Sequence, residues 1–199
     1  MHNRRLSRPA LLALLCCAFA QPLPAAETSP LWQIGTLDGS TAEFALAPGD
    51  HRKFKEDGFF IVGESDARRD WPYAHPGPHD AWAGGQPHTF TILFGLKTPP
   101  ASGECRLEVA LADTHAGGPP KLAIQINGRT FERSLPRGAG DASINGEPAK
   151  GRPHKFTLPF PAELLRPGDN DIQITTVEGS WMLYDAIALA TPAGAELQP

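Results

Sequence analysis

Apolar residues recur at every second position through much of this chain, and the alternation locates its elements. Phe90, Ile92, Phe94 and Leu96 alternate with Thr91, Leu93 and Gly95, a period of two that buries one face of a β-strand. Cys105, Leu107, Val109 and Leu111 repeat it, with Arg106 and Glu108 on the opposite side. Shorter runs follow at Leu122, Ile124 and Ile126, at Phe156, Leu158 and Phe160, at Ile172, Ile174 and Thr176, and at Ile187 and Leu189. Asn127-Gly128 supplies the two positive φ angles of a type I′ turn, which predicts a hairpin into Arg129-Thr130-Phe131-Glu132. The pattern predicts that Phe90, Ile92, Leu107, Val109, Ile124, Ile172, Ile174 and Ile187 point between two packed sheets.

Composition narrows the architecture. Twenty-one prolines and 20 glycines among 199 residues cut the chain into short pieces. Helix is at most minor, with one turn expected at Pro161–Arg166 and stopped by Pro167-Gly168. Short strands between turn clusters, with no repeated βαβ spacing, give an all-β fold, an antiparallel β-sandwich. Two Gly- and Pro-rich insertions, Ala74–Pro87 and Pro136–Pro153, read as mobile surface loops, where such sandwiches carry function.

The first 26 residues read as an export signal. Arg4, Arg5 and Arg8 precede an apolar run from Leu11 to Ala20, about ten residues and too short to span a bilayer. Cleavage is expected after Ala20 or, preferably, after Ala26, leaving one domain over residues 27–199 that is secreted or periplasmic. Cys16 and Cys17 lack the residues of a lipidation site. Cys105 is then the single cysteine, so no intrachain disulfide forms. The formal charge is -4, and losing Arg4, Arg5 and Arg8 takes it to -7. That balance argues against nucleic acid or an anionic membrane as a partner.

Four blocks carry a family resemblance. Trp32-Gln33-Ile34-Gly35, then Asp38-Gly39 and Glu43-Phe44, open the mature chain; Val62-Gly63-Glu64-Ser65-Asp66-Ala67-Arg68-Arg69-Asp70-Trp71 follows. Pro167-Gly168-Asp169-Asn170 and Met182-Leu183-Tyr184-Asp185-Ala186 come later in the same order. Along nearly its whole mature length the chain resembles the C-terminal domain of the rhamnogalacturonan lyases of polysaccharide lyase family four. The resemblance implies a jelly roll of the galactose-binding-like kind that binds pectic rhamnogalacturonan or another acidic polysaccharide. It also implies that elimination chemistry belongs to a separate catalytic domain, so the sequence reads as the accessory module alone.

A sugar ring presents an apolar C–H face and a rim of hydroxyls, and an aromatic plate beside polar groups meets both. Trp71, Tyr73, Trp82 and Trp181 are the candidate plates, with Trp71 and Trp32 also suited to the core. Arg68 and Arg69 are placed to grip uronate carboxylates, a role that competes with pairing to Asp66 or Asp70. Arg68, Arg69, Trp71, Tyr73 and Trp82 are therefore the expected carbohydrate site, with the 136–153 loop or the surface near Trp181 as the alternatives. His75 and His79 have helical metal-ligand spacing, but Pro76-Gly77-Pro78 forbids the helix, so no transition-metal site is expected. No cofactor is expected beyond a structural calcium, for which Asp66, Asp70, Asp169 and Asp185 offer oxygens without the spacing of a calcium loop. No nucleophile motif is present.

Three functions remain open: a non-catalytic carbohydrate-binding module, a small polysaccharide lyase using His and Arg side chains of the 68–88 region, and a protein-docking domain of the cell envelope. Absorbance of unsaturated uronate separates the first two, and co-sedimentation with insoluble polysaccharide separates the first from the third.

Overall fold

A computed structural model describes residues 30–198; the expected export signal lies outside the described residues. Among the described residues eleven strands form two sheets. They are β1 (Pro30–Gly35), β2 (Phe59–Ile61), β3 (Ala74–His75), β4 (His88–Thr98), β5 (Glu104–Thr114), β6 (Lys121–Ile126), β7 (Arg129–Ser134), β8 (His154–Pro161), β9 (Gly168–Glu178), β10 (Met182–Ala190) and β11 (Glu196–Leu197). One sheet runs β1-β10-β5-β8, with β3 on the first residues of β10. The other runs β11-β4-β9-β6-β7, with β2 on the same edge of β4 as β11. Every pairing is antiparallel except β2 with β4.

The alternation places the core as expected. All eight side chains named from the pattern are fully buried, because a period of two gives each strand one dry face. Trp32 and Ile34 of β1 join them, Trp32 packing on Phe94 with ring centroids 5.6 Å apart. The hairpin is also as read: Asn127 has φ 47° and Gly128 φ 85°, and Ile126 pairs with Arg129 across the turn. Asn127 does more than turn the chain. Its amide donates to Leu164 O and Asn170 Oδ1, and its own Oδ1 accepts from Asp171 N. Asn170 in turn holds the carbonyls of Arg166 and Gly168, so the Pro-Gly-Asp-Asn block is a pinned corner. Pro161–Arg166 supplies a 3-10 turn at Ala162–Leu164.

Both insertions lie at the surface over most of their length, as expected, but each is tied down at particular points. Ala74 to Gly77 is buried, because β3 pairs with β10 and a side chain at Gly77 would lie 2.7 Å from Gly179 O. The 136–153 segment is tied down by Asp113, whose buried carboxylate accepts from the backbone N–H groups of Thr114, Ala139 and Arg152 and from Ser143 Oγ. A buried acceptor that is fully satisfied fixes its partners. Among the described residues no helix is long and apolar enough to cross a membrane.

Candidate functional site

The five residues expected at the site do not meet. Arg68 and Arg69 lie exposed on a single helical turn, α1 (Ala67–Asp70), whose first N–H groups are capped by Asp66 Oδ1 accepting from Arg68 N. Arg69 grips Asp70 through Nε and Nη2, both 2.7 Å from the carboxylate, and this pairing depresses the Asp70 carboxyl to about 2. At Trp71 the chain leaves α1 and dives into the sandwich. Trp71 is wholly buried against Phe60, Phe90 and Tyr184. Tyr73 is wholly buried too, its backbone bonded to Ala45 and Tyr184 and its hydroxyl donating to Ile144 O. Neither ring has a face left for a ligand, which corrects the expectation that they are sugar plates. Trp82 is half-buried, held edge-on by His51 (5.0 Å between centroids) and Phe54 (6.1 Å).

Around Trp82 the structure assembles a different set of side chains. A cleft of about 270 Å³ opens at one end of the sandwich, lined among others by Trp82, Trp181, His79, Arg52, Asp141 and Asn145. His51, Asp80, His115, Ile144 and Ser180 complete its floor and walls. Five separate chain segments contribute, each fixed by local bonds. Asp80 accepts from Gly77 N at 2.8 Å and from Ser180 Oγ at 2.5 Å, which joins the loop before Trp82 to the turn before Trp181. His115 packs edge-on against Trp181 at 5.5 Å, and its Nδ1 accepts from Gly118 N, which leaves its proton on Nε2. Asn145 donates to Asp141 O across the rim. His51 is 5% exposed, and its Nδ1 has no partner among the described residues. Burial lowers its proton affinity, so the ring favours the neutral form. The cleft thus combines one half-buried indole, Trp82, with imidazoles, one exposed guanidinium and amide or carboxylate acceptors, the chemistry that packs on a C–H face and bonds hydroxyls, whereas Trp181 is buried and supports the wall.

The alternatives weighed in the sequence, the 136–153 loop and the surface near Trp181, both contribute walls to this cleft. His51, Arg52 and His115 escaped sequence reasoning because no spacing links them; only the packing of five segments makes them neighbours. The histidines with metal-like spacing part company. His75 is buried, stacked 3.8 Å from Phe90, with Nδ1 at 2.9 Å from the Tyr184 hydroxyl and Nε2 at 2.9 Å from His88 O, whereas His79 is exposed. Among the described residues no group of three or more His, Cys, Asp or Glu is arranged to hold a metal. Of the four aspartates considered for calcium, Asp66 caps α1, Asp70 pairs with Arg69, and Asp185 accepts from Asp38 N and Gly39 N on another loop.

Residues 30–189 match the family model described as CBM-like, polysaccharide lyase family 4, domain III. No curated protein matches the sequence. Among solved structures, a family 35 carbohydrate-binding module from an environmental isolate is 10% identical, covering 57% of this chain and 70% of that one, with a TM-score of 0.36. The CBM35 from Cellvibrio japonicus Abf62 is 17% identical over 57% of this chain and 71% of its own, at a TM-score of 0.34. A ruminal GH26 endo-β-1,4-mannanase is 14% identical over 83% of this chain but only 26% of its own, at a TM-score of 0.38.

Proposed function

The chain belongs to the CBM-like domain III family of polysaccharide lyase family 4, and from that premise we propose that it is an exported, non-catalytic module that binds an acidic polysaccharide of the pectic rhamnogalacturonan type in the Trp82 cleft. One observation carries the reading: Trp82 stands half-buried and braced by His51 and Phe54 in a cleft rimmed by Arg52, Asp141 and Asn145. Braced aromatic plates bind without losing much side-chain entropy. The indole takes the C–H face of a sugar, Asp141 and Asn145 take its hydroxyls, and Arg52 takes a uronate carboxylate through two parallel hydrogen bonds. The test is affinity electrophoresis in gels containing rhamnogalacturonan or polygalacturonate. Retardation of the wild type that is lost in Trp82→Ala and weakened in Asn145→Ala supports the site; equal retardation of all three sinks it.

A second reading rests on one feature of the same cleft, the neighbourhood of His51, His79 and His115 to Arg52. Elimination from a uronate requires a base for the C5 proton and a cation on the adjacent carboxylate, and these groups are of the right kind. Growth of unsaturated-uronate absorbance on incubation with polygalacturonate favours a lyase, and a flat trace favours the binding module.

A further inference from the structure

A second concavity lies away from the Trp82 cleft, on the outer face of the six-stranded sheet. Its larger half, about 440 Å³, runs between α1 and β2 and is lined by Phe59, Ile61, Ser65 and Arg69 among others. Its smaller half, about 350 Å³, continues past Ile61 over Leu93 and Gly95 to Arg166 and Asp171. Ile61 lines both, so the two hollows adjoin at that side chain, and we call the pair the groove.

The register of β2 on β4 builds its floor. Phe59 pairs with Thr91, Phe60 with Ile92 and Ile61 with Leu93. Phe60 and Ile92 are buried in the core, so Phe59, Ile61, Thr91 and Leu93 share the outer face. From Thr91 to Gly95 that floor is about 13 Å long at about 3.3 Å per residue. Phe59 is 50% exposed and, with Leu37, one of two large apolar side chains so exposed among the described residues. A lone exposed aromatic is ordinary. Phe59 is different in that its ring continues into a half-buried strip of Ile61 and Leu93 at the bottom of a groove.

The walls are polar and held in place. Arg69 is clamped by Asp70, Ser65 Oγ accepts from Ile61 N, Asp57 accepts from Thr89 N and pairs with His88 at 2.5 Å, and Arg166 Nε donates to Asp169 O. Six carboxylates line the groove, on Glu56, Asp57, Glu64, Asp70, Asp169 and Asp171, against two guanidiniums, on Arg69 and Arg166. That excess of negative charge opposes a uronate polymer. It suits hydroxyls, which donate to carboxylates and accept from guanidinium. Asp70 is already paired with Arg69, and Asp57 is already hydrogen-bonded to His88 and to Thr89 N, so neither carboxylate is free to pair with a basic peptide.

We propose that this groove is a second saccharide site, selective for an uncharged polysaccharide, with Phe59 as its stacking plate and Arg69 and Glu64 bonding ring hydroxyls. It shares with the preceding reading only the carbohydrate-binding character of the family. The two sites differ in charge and in aromatic residue, so each can be removed alone.

The experiment is affinity electrophoresis of wild type, Phe59→Ala and Trp82→Ala in gels containing galactan, arabinan, mannan or polygalacturonate, with thermal melts as the folding control. A neutral polymer retards the wild type; Phe59→Ala weakens that retardation at least about tenfold in Kd while melting normally and keeping wild-type behaviour on polygalacturonate. Trp82→Ala keeps its neutral-polymer retardation. Failure of every neutral polymer to bind overturns the proposal, as does neutral binding lost in Trp82→Ala and kept in Phe59→Ala. Binding of a lysine-rich peptide, abolished by Phe59→Ala, with no neutral polymer bound, assigns the groove to a protein partner and also overturns it. Neutral binding through Phe59 without any binding of polygalacturonate upholds this site and removes the acidic-polymer reading of the other.

Discussion

The hydroxyl of Tyr73 donates to the carbonyl of Ile144, and this bond fastens a wall of the Trp82 cleft to the centre of the sandwich. Both residues are buried. Tyr73 thus supports the cleft from beneath, where the sequence suggested that it met the ligand directly.

Tyr73→Phe is expected to lower unfolding free energy by about 1–3 kcal/mol, the cost of stranding a buried acceptor. Urea denaturation with an unchanged m-value measures it. Tyr73→Ala opens a cavity as well and is expected to cost about 3–5 kcal/mol. A Tyr73→Phe protein as stable as wild type would show that Ile144 O finds another donor.

Two glycines separate crowding from backbone strain. A methyl at Gly138 would lie 1.7 Å from Thr114 O and 2.3 Å from Asp113 Oδ1, whereas a methyl at Gly128 meets nothing within 4 Å but must tolerate a φ of 85°. Gly138→Ala is therefore expected to destabilise by at least about 3 kcal/mol, and Gly128→Ala by about 1–2 kcal/mol. Paired thermal melts check the ranking.

Acid should weaken the fold through His75. Complete burial lowers its pKa from 6.5 to about 3, so the folded state keeps it neutral while the unfolded chain protonates it. Stability is full above pH 6.5 and is lost as pH falls toward 3, by an amount on the order of 4 kcal/mol. His51 and His154 are lowered by burial as well and act in the same direction. Melting temperature should fall steeply between pH 6.5 and pH 4, and His75→Gln, though less stable at pH 7, should lose much of that slope. A flat profile in the wild type would contradict the buried neutral imidazole.

Arg52 is exposed, so Arg52→Ala is expected to leave stability within about 0.5 kcal/mol. Its binding to polygalacturonate should weaken several-fold, and what remains should depend less on salt, because screening acts on the charge contact and hardly on stacking. Titration at two ionic strengths reads both effects.

The sheets were legible because burial in a sandwich is written in a period of two, and the Asn127 turn because few dipeptides tolerate two positive φ angles. The site was legible only in part. Trp82, Trp181 and the 136–153 loop could be named from the chain, but His51, Arg52 and His115 join them through long-range bonds such as Asp80 to Ser180, which leave no local trace. Tyr73 misled for a related reason, whereas Trp71 took the core role that its place in a recurrent block suggested. Proline and glycine around Ala74–Pro87 suggested a solvated excursion, and composition does not record that β3 docks on β10 and draws the preceding aromatics inward.

Asp113 grips the 136–153 segment through two main-chain N–H groups of that segment, on Ala139 and Arg152, and through a single side chain there, Ser143. An anchor of this kind is nearly indifferent to which side chains the segment carries. Exchanging Asp141 and Asn145 on the cleft rim removes one exposed bond, Asn145 Nδ2 to Asp141 O, and leaves the Asp113 anchor in place, so the position of the rim and the identity of its contacts are set separately. A library randomised at those two positions and keeping Ser143 should fold throughout, and the same scaffold can then be turned toward new glycans by changing its rim alone.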